Sequence, residues 1–282
     1  MEASRGNGGV LITGASTGIG EATALRLHGA GFRVFAGVRK PEDGERLSAA
    51  GVTVVHPLDV TNAEHIAAAA RTVEEALQGA PLRGIVNNAG IGIGGPLEAL
   101  SVDDFRRTLE VNTTGQLAVT QAFLPMLRRS KGRIVNMSSI GGRVAQPFAG
   151  PYIASKFALE GVTDVLRAEL LGWGIDVIAI EPGTIATPIW EKSSREADEV
   201  LAKLMPEQRE LYGKRLAKVA KVLERQTKRG APPEKVAEAV EKALTASRPR
   251  TRYLVGDAYV LIALKRLLST RLFDRLLYRL SS

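Results

Sequence analysis

Short apolar runs alternate with segments of helical period along residues 10–182. The runs predict strands at 10–13, 32–38, 52–56, 84–88, 133–138 and 175–181. The segments between them predict helices at 18–30, 61–78, 101–129 and 152–172, with a short one near 42–50. The run 177–180 is apolar at every position, which is typical of a parallel strand buried on both faces. Strands that alternate with helices in this way predict an α/β fold with a doubly wound parallel sheet.

The alternation stops near residue 182. After it, apolar residues recur at helical spacing among many charges, which predicts a helical insertion over about residues 184–231. A helix at 234–247 and a short strand at 253–255 follow the insertion. We therefore expect a single domain over residues 1–256 and a tail of separate character over residues 257–282.

The tail has the pattern of an amphipathic helix over residues 258–280. Its leucines recur three or four residues apart among cations: Leu261, Leu264, Leu268, Leu272, Leu276 and Leu280 with Lys265, Arg266, Arg271, Arg275 and Arg279. Such a helix could lie on an anionic membrane surface. The alternative is that the leucine stripe packs on the protein itself or on a dimer partner, with the cations in solvent. The sequence leaves both hypotheses open.

Composition excludes several classes of protein. The 282-residue chain has 45% hydrophobic and 24% charged residues, which excludes a disordered or fibrous protein. It has no Cys, so disulfides, thiolate zinc sites and a Cys nucleophile are excluded. Its three histidines, His28, His56 and His65, are scattered, and we expect no metal site.

Charge and hydropathy bear on location and partners. The N-terminal residues are polar and Gly-rich without an apolar stretch of signal-peptide length, and the uncharged run 111–127 is too polar to span a membrane. We therefore expect a cytoplasmic protein, with any membrane association made through the tail. The net charge of +8 lies mostly in residues 248–282, which hold eight Arg or Lys against two Asp. Because this segment lacks the aromatic platforms of nucleic-acid-binding proteins, we expect no nucleic acid partner.

A Gly-rich run follows the first predicted strand and opens the first predicted helix. Glycines at this place let the backbone turn tightly and approach a pyrophosphate, which the amide groups of the helix N-terminus then hold. The run could also be only a tight turn from strand to helix. Its place in the first strand and helix favours a dinucleotide site, with Gly14, Ser16, Thr17, Gly18, Ile19 and Gly20 as its residues.

Four polar residues further along the chain suggest proton chemistry. Tyr152 and Lys156 are four residues apart in a predicted helix, so they share a face, and the ammonium group could lower the pKa of the phenol. Ser139 ends the preceding strand, where its hydroxyl could bond a substrate oxygen. Asn112 lies in an apolar helix, and its amide must be satisfied there, for example by a deviation of the helix. Taken singly, Tyr152 and Lys156 could be an ordinary amphipathic pair, Ser139 a strand-end cap, and Asn112 a buried polar residue of a helix.

At these residues the sequence resembles the short-chain dehydrogenase/reductase family. The resemblance covers about residues 9–256 and is carried by five signals in the family's order: the run 13–20, Asn87-Asn88-Ala89-Gly90, Asn112, Ser139 with Tyr152 and Lys156, and Pro182-Gly183. It implies a Rossmann-type fold, a nicotinamide cofactor, and hydride transfer between an alcohol and a ketone or aldehyde. It also implies that Tyr152 is the acid/base and that Ser139 orients the substrate oxygen. Lys156 would lower the pKa of Tyr152 and bind the nicotinamide ribose, and Asn112 would anchor a water relay behind it.

The resemblance implies further cofactor contacts at the ends of the predicted strands. Asn88, Ala89 and Gly90 would face the adenosine ribose and the nicotinamide, and Asp59 with Val60 resembles the family's adenine contact. The alternative for Asp59 is a solvated carboxylate beside Thr61, which would cap the next helix. The nicotinamide carboxamide would be held after the last long strand, by Pro182, Gly183, Ile185 and Thr187.

The residues after the second strand indicate which cofactor is used. An NAD site usually has an acidic residue there, which bonds the ribose 2′-hydroxyl and repels a 2′-phosphate. This chain has Arg39, which can form a bidentate contact with a phosphate, while Lys40 and Ser16 lie near enough to assist. The sequence therefore favours NADP(H) over NAD(H), although Thr17 stands where many NADP-preferring members carry a base.

Substrate and assembly follow less directly. The insertion supplies apolar residues that could form a lid over a bulky substrate or could simply pack on the domain: Ile185, Ile189, Trp190, Leu201, Leu204 and Met205. Together with the basic tail, the segment Phe35–Arg39 loosely resembles the retinol- and steroid-active members of the family, which implies that the substrate is a hydrophobic alcohol, ketone or aldehyde. The alternative to an enzyme is a catalytically idle dinucleotide-binding sensor or scaffold.

The sequence also predicts a homodimer. This prediction rests on the uncharged run 111–127 and on the small residues Ala154, Ala158 and Gly161.

Overall fold

The computed structural model describes residues 8–187 and 204–281. Its strands are β1 (Gly9–Thr13), β2 (Arg33–Gly37), β3 (Thr53–Val55), β4 (Leu82–Asn87), β5 (Arg133–Met137), β6 (Asp176–Pro182) and β7 (Arg252–Val255). Its helices are α1 (Gly18–Gly29), α2 (Glu45–Ala49), α3 (Ala63–Leu77), α4 (Val102–Leu109), α5 (Gly115–Ser130), α6 (Gly150–Leu170), α7 (Pro206–Arg229), α8 (Pro233–Thr245), α9 (Ala258–Leu267) and α10 (Thr270–Ser281). Short 3-10 turns lie at Pro41–Gly44, Ile140–Gly142 and Leu171–Trp173.

The seven strands form one parallel sheet in the order β3-β2-β1-β4-β5-β6-β7. The chain moves outward from β1 to β3 and then returns to the other side of β1 with β4, so the predicted doubly wound sheet is confirmed. Ligands of such sheets bind beyond the carboxyl ends of the strands, at the point where the order reverses. In this protein that point lies between the ends of β1 and β4, and the two outermost strands, β3 and β7, are also the shortest.

Side chains that alternate along the strands build a core on each face of the sheet. On one face, Val10 and Ile12 of β1 pack against a cluster that includes Leu27 of α1 and Val240 of α8. On the other face, neighbouring strand residues pack against Val73 of α3 and Phe123 of α5. Burial on both faces explains why these strands are apolar at nearly every position.

The helix predicted over 101–129 is interrupted. A π-helical turn at Glu110–Thr114 separates α4 from α5. Ser101 caps α4, since its hydroxyl accepts a hydrogen bond of 3.0 Å from the Asp104 amide. The extra residue in a π turn shifts the face that each helix presents, and such turns are frequent at functional sites. The predicted deviation around Asn112 is therefore present.

The described part of the insertion is helical, as predicted, and consists mainly of α7. Residues 188–203, which include Ile189, Trp190 and Leu201 of the proposed lid, lie outside the described residues.

The tail differs from the prediction, because it forms two helices instead of one. Leu268 has an extended backbone, with φ −96° and ψ 145°, between α9 and α10. The residues that follow it, Ser269 and Thr270, favour helix N-termini over helix interiors, which accounts for the break.

Part of the leucine stripe of the tail packs on the protein. Phe273 and Leu277 of α10 bury themselves with Val144, which follows the turn Ile140–Gly142. Four of the predicted leucines border this cluster: Leu261, Leu264, Leu268 and Leu276. Within residues 8–187 and 204–281, no helix is long and apolar enough to cross a membrane.

Candidate active site

The carboxyl ends of the strands surround a cavity of about 610 Å³. Nearly all of the predicted site residues line it: Gly14, Ser16, Thr17, Gly18, Ile19, Gly20, Arg39, Asp59, Val60, Asn88, Ala89, Gly90, Ser139, Tyr152, Lys156, Pro182, Gly183, Ile185 and Thr187. The structure does not bring Lys40 or Asn112 to its wall. Lys40 is exposed and its ammonium lies 3.8 Å from the carboxylate of Glu42, outside the cavity.

The Gly-rich turn between β1 and α1 forms one end of the cavity. Gly14 and Gly18 have φ of 62° and 60°, the left-handed region that favours glycine. A Cβ at Gly20 would lie 2.3 Å from the Gly14 carbonyl oxygen, so a larger residue cannot fit. The turn brings the backbone and the N-terminus of α1 close to the cavity, and its shape fits the pyrophosphate of a dinucleotide.

The loop after β4 is locked onto this turn. The Asn88 side-chain amide donates hydrogen bonds of 3.0 Å to the carbonyl oxygens of Thr13 and Gly14. The Thr13 hydroxyl accepts hydrogen bonds of 3.0 Å from the amides of Asn88 and Ala89. These four bonds fix the ends of the two strands between which the sheet order reverses. This role of Thr13 was not predicted from the sequence, although its position at the end of β1 could have indicated it.

Arg39 and Asp59 lie on the cavity wall beyond β2 and β3. The Asp59 carboxylate accepts hydrogen bonds from the Thr61 amide at 2.9 Å and the Thr61 hydroxyl at 2.7 Å. Burial raises the pKa of Asp59, but the Thr61 bonds and the Arg39 charge outweigh it, so its pKa is below the usual value. Asn62, not Thr61, caps α3 by accepting from the amides of Glu64 and His65. The alternative in which Thr61 caps this helix is therefore wrong.

Asn112 lies behind the cavity in the π turn and is fully buried. Its side-chain amide donates to the Ile91 carbonyl at 2.8 Å and to the Ser155 hydroxyl at 2.9 Å, and its oxygen accepts from the Ile91 amide at 2.8 Å. One side chain thus ties the loop after β4 to the second turn of α6. The predicted part of Asn112 in a water relay stays a prediction.

Ser139, Tyr152 and Lys156 meet at the other end of the cavity. Ser139 follows β5, and its hydroxyl accepts from the Gly141 amide at 3.0 Å and hydrogen-bonds the Tyr152 phenol. The Lys156 ammonium lies 5.7 Å from the centre of the Tyr152 ring and donates to the Met137 carbonyl at 2.7 Å. The strand end and the first turns of α6 therefore place a hydroxyl, a phenol and an ammonium group around one space.

The charge states of these groups depend on burial. Burial raises the pKa of Tyr152, and the hydrogen bond with Ser139 acts in the opposite direction. Burial lowers the pKa of Lys156 to about 8, opposed by the charge of Glu160. The predicted lowering of the Tyr152 pKa by Lys156 is not found. The Lys156 ammonium is directed to the Met137 carbonyl, and desolvation of the phenol has the larger effect.

Three charged residues of the cavity wall were missed by the sequence analysis. Arg106 and Arg107 at the end of α4 and Glu110 at the start of the π turn all line it. Their closeness in sequence to Asn112 is the one signal that could have pointed to them.

A family model described as short chain dehydrogenase matches residues 9–198. The chain belongs to this family. Human retinol dehydrogenase 5 is 40% identical over 264 residues, which cover 90% of this chain and 83% of that protein. The NADPH-dependent 3-dehydrocapnine reductase of Ornithobacterium rhinotracheale is 32% identical over 277 residues, which cover 95% of both chains. A short chain dehydrogenase from Burkholderia cenocepacia J2315, solved in complex with NADP, superposes with a TM-score of 0.74 at 28% identity, covering 97% of this chain and 99% of that one.

Membership of the short-chain dehydrogenase family confirms the resemblance on which the sequence analysis relied and the Rossmann-type fold. The protein is accordingly an NAD(P)-dependent oxidoreductase that acts on CH–OH groups of small molecules. The alternative of a catalytically idle sensor or scaffold is not supported.

Proposed function

We propose that this short-chain dehydrogenase uses NADP(H) to interconvert a hydrophobic alcohol and its ketone or aldehyde, of retinoid, steroid or lipid type. The observation that carries the proposal is one continuous cavity that joins the Gly-rich turn and Arg39 to Ser139, Tyr152 and Lys156. In such a cavity the phosphates of a dinucleotide would lie at the N-terminus of α1 and the nicotinamide would lie beside the phenol.

Arg39 supports the preference for NADP(H). It follows β2 on the cavity wall, where an NAD site usually carries an acidic residue. Its exposed guanidinium group can reach a 2′-phosphate, and the Ser16 hydroxyl lines the same wall. Two proteins similar to this chain bear on the same point, since one is named as NADPH-dependent and one was solved with NADP.

A nicotinamide cofactor held by the Gly-rich turn, Arg39 and Lys156 would supply the hydride for reduction of the carbonyl compound and would take it up in oxidation of the alcohol. Tyr152 donates its phenolic proton to the carbonyl oxygen in reduction and takes the proton back in oxidation. Ser139 holds the same oxygen beside the phenol. Lys156 would hold the ribose of the cofactor at the cavity wall. Asn112, whose side chain bonds Ile91 and Ser155, would anchor a water relay behind Lys156.

The lid side of the cavity supports a hydrophobic substrate. Ile185 and Thr187 line the cavity and are buried, and Leu204 is buried where the described chain resumes. Tyr212 of α7 meets Phe148, which directly precedes α6, with ring centres 6.3 Å apart. The ring contact thus joins α7 of the insertion to the loop before Tyr152. The similarity to human retinol dehydrogenase 5 agrees with a bulky apolar substrate.

The test is the oxidation of NADPH and NADH, followed by absorbance, with ketones and aldehydes graded in size and polarity. We expect faster turnover with NADPH than with NADH. We also expect kcat/KM to rise with the apolar surface of the substrate, because burying that surface in the cavity stabilises the bound substrate. Highest activity on small, charged substrates would contradict the substrate class.

We also propose that two chains form a homodimer through α5 and α6. Two large apolar residues of α6, Phe157 and Val165, lie open to solvent. A Cβ added at Gly161 would meet no atom within 4 Å, so a partner helix could approach closely there. A dimer would cover this apolar surface.

The tail offers a second surface, for which we propose contact with an anionic membrane from the cytoplasmic side. Leu267 is 81% exposed, and five more large hydrophobic residues of α9 and α10 are exposed: Tyr259, Val260, Leu272, Tyr278 and Leu280. Cations flank them, namely Arg266, Arg271, Arg275 and Arg279. Phe273 and Leu277 are buried against the protein, so they cannot contact a membrane. The exposed apolar residues of the tail are the ones that would insert into a bilayer.

A chain that ends at Gly256 tests both surfaces of the protein. We expect the full-length chain to scatter light as a dimer and to co-sediment with phosphatidylserine vesicles, and the shortened chain to lose vesicle binding. A monomeric full-length chain would reject the helix interface. Equal vesicle binding of both chains, or loss of folding measured by circular dichroism, would leave the tail as structural packing only.

A further inference from the structure

The segment from Ser139 to Val144, which we call the Ser139 turn, is a compact hydrogen-bonded unit beside the cavity. The Val144 amide donates to the Ile140 carbonyl at 2.9 Å. A Cβ at Gly141 would lie 3.2 Å from Cε1 of Tyr152, so the turn packs directly against the phenol ring. A displacement of the turn would therefore change the position of Ser139 relative to Tyr152.

The tail packs on this turn with apolar side chains. Val144 is fully buried in one cluster with Phe273 and Leu277 of α10, which are 5% and 9% exposed. Ile140, near the start of the turn, packs against the same cluster. Side chains of α10 therefore contact the cluster that holds the Ser139 turn near both of its ends.

Polar contacts hold the same turn from other elements. The Lys265 ammonium of α9 donates to the Arg143 carbonyl. The Arg143 guanidinium donates to the buried carboxylate of Glu181 in β6 at 3.0 Å. Arg252 of β7 lies 3.0 Å from the same Glu181 oxygen and also donates to Glu160 of α6. Both tail helices and the sheet thus fix the backbone that carries Ser139.

We propose that the tail positions the catalytic groups, with Phe273 of α10 acting on Ser139 through Val144. The inference rests on the role of Ser139 in the proposed function, since a group that holds the substrate oxygen must lie at the correct distance from the phenol. Phe273 and Leu277 do not belong to the described wall of the cavity. They therefore influence the reaction through the Ser139 turn, as positioning residues.

The first test is Phe273→Ala in the full chain. Removal of the ring leaves a gap beside Val144 into which the Ser139 turn can shift. We expect kcat to fall by about tenfold, because a misplacement of about 1 Å can cost about 10²-fold. The dissociation constant of NADPH, measured by fluorescence titration, should stay near the wild-type value, because the Gly-rich turn and Arg39 lie at the other end of the cavity. A residue that only stabilised the fold would leave the kcat of the folded protein unchanged.

A double-mutant cycle assigns the effect to Ser139. If Phe273 acts through Ser139, Phe273→Ala should cause no further loss of kcat in a chain that already carries Ser139→Ala. The same fractional loss in both backgrounds would overturn the inference. A Ser139→Ala chain with the kcat of wild type would instead reject the role of Ser139 in the proposed function, so the two failures are distinguishable.

Further variants separate position from stability. Asp274→Ala is the matched control, since it shortens the exposed next residue of α10 and should leave kcat unchanged. Phe273→Leu keeps an apolar side chain in the cluster and should retain most of the activity.

Lys265→Met keeps the inference testable if Phe273→Ala does not fold. It removes the bond to the Arg143 carbonyl without emptying the apolar cluster. We expect it to lower kcat in the wild-type background and not in the Ser139→Ala background. An unchanged kcat in every folded variant of Phe273 and Lys265 would overturn the inference.

Discussion

Replacing Tyr152 by phenylalanine is expected to lower kcat by about 10³-fold, within the usual range for a lost general acid or base. The ring still packs beside Ser139, so the cavity keeps its shape, but no proton can pass to or from the substrate oxygen. Affinity for NADPH, measured by fluorescence titration, should stay near the wild-type value. The two measurements together separate the loss of a proton donor from damage to the site.

Tyr259→Phe is the matched control for this substitution. Its hydroxyl donates to the Leu254 carbonyl at 3.1 Å, on an exposed part of α9 that does not belong to the cavity wall. It should leave kcat unchanged. Residual turnover in Tyr152→Phe within about tenfold of wild type would reject Tyr152 as the acid/base, because general acid–base catalysis contributes at least 10²-fold.

Replacing Arg39 by aspartate is expected to reverse the cofactor preference. The change removes the proposed partner of the 2′-phosphate and adds a carboxylate that accepts from a ribose hydroxyl and repels the phosphate. A hydrogen bond between charged groups contributes about 1.5–3 kcal/mol, so the ratio of kcat/KM for NADPH to that for NADH should fall by about 10²-fold.

Lys40→Asp is a close control, since it makes the same change of charge one residue further along. Lys40 does not line the cavity, so the ratio should change little. An equal effect of both substitutions would assign the preference to the overall charge of this surface. A wild-type enzyme that prefers NADH would show that the cofactor proposal is wrong.

The proximity of the site residues in space could be predicted from the sequence, because it follows from the topology of a parallel sheet. Carboxyl ends of parallel strands lie at one edge of a sheet, which brings the turn after Thr13 beside the loop after Asn87. The helical repeat places Tyr152 and Lys156 on one face. The predicted strand boundary is wrong where a charge interrupts the apolar run. Because Arg83 interrupts it, the strand was predicted to start at residue 84, whereas β4 starts at Leu82.

Properties that depend on burial or on distant contacts were not accessible from the sequence. The direction of the Tyr152 pKa is set by desolvation, which requires the whole cavity. Arg39 and Lys40 are neighbours of equal charge, and only the path of the chain after β2 decides which of them faces the cavity. The bond between Glu160 and Arg252 joins residues 92 positions apart, and no local pattern marks it.

The two edges of the sheet have a consequence for the behaviour of the protein at high concentration. An edge strand exposes unpaired backbone groups that another chain can extend, which is a common route to aggregation. Here the edge strands are β3, with three residues, and β7, with four. Each therefore exposes few unpaired backbone groups with which a strand of another chain could form hydrogen bonds. Contacts between copies of this enzyme should therefore form between side chains on its helices, which can be tuned by mutation without disturbing the sheet.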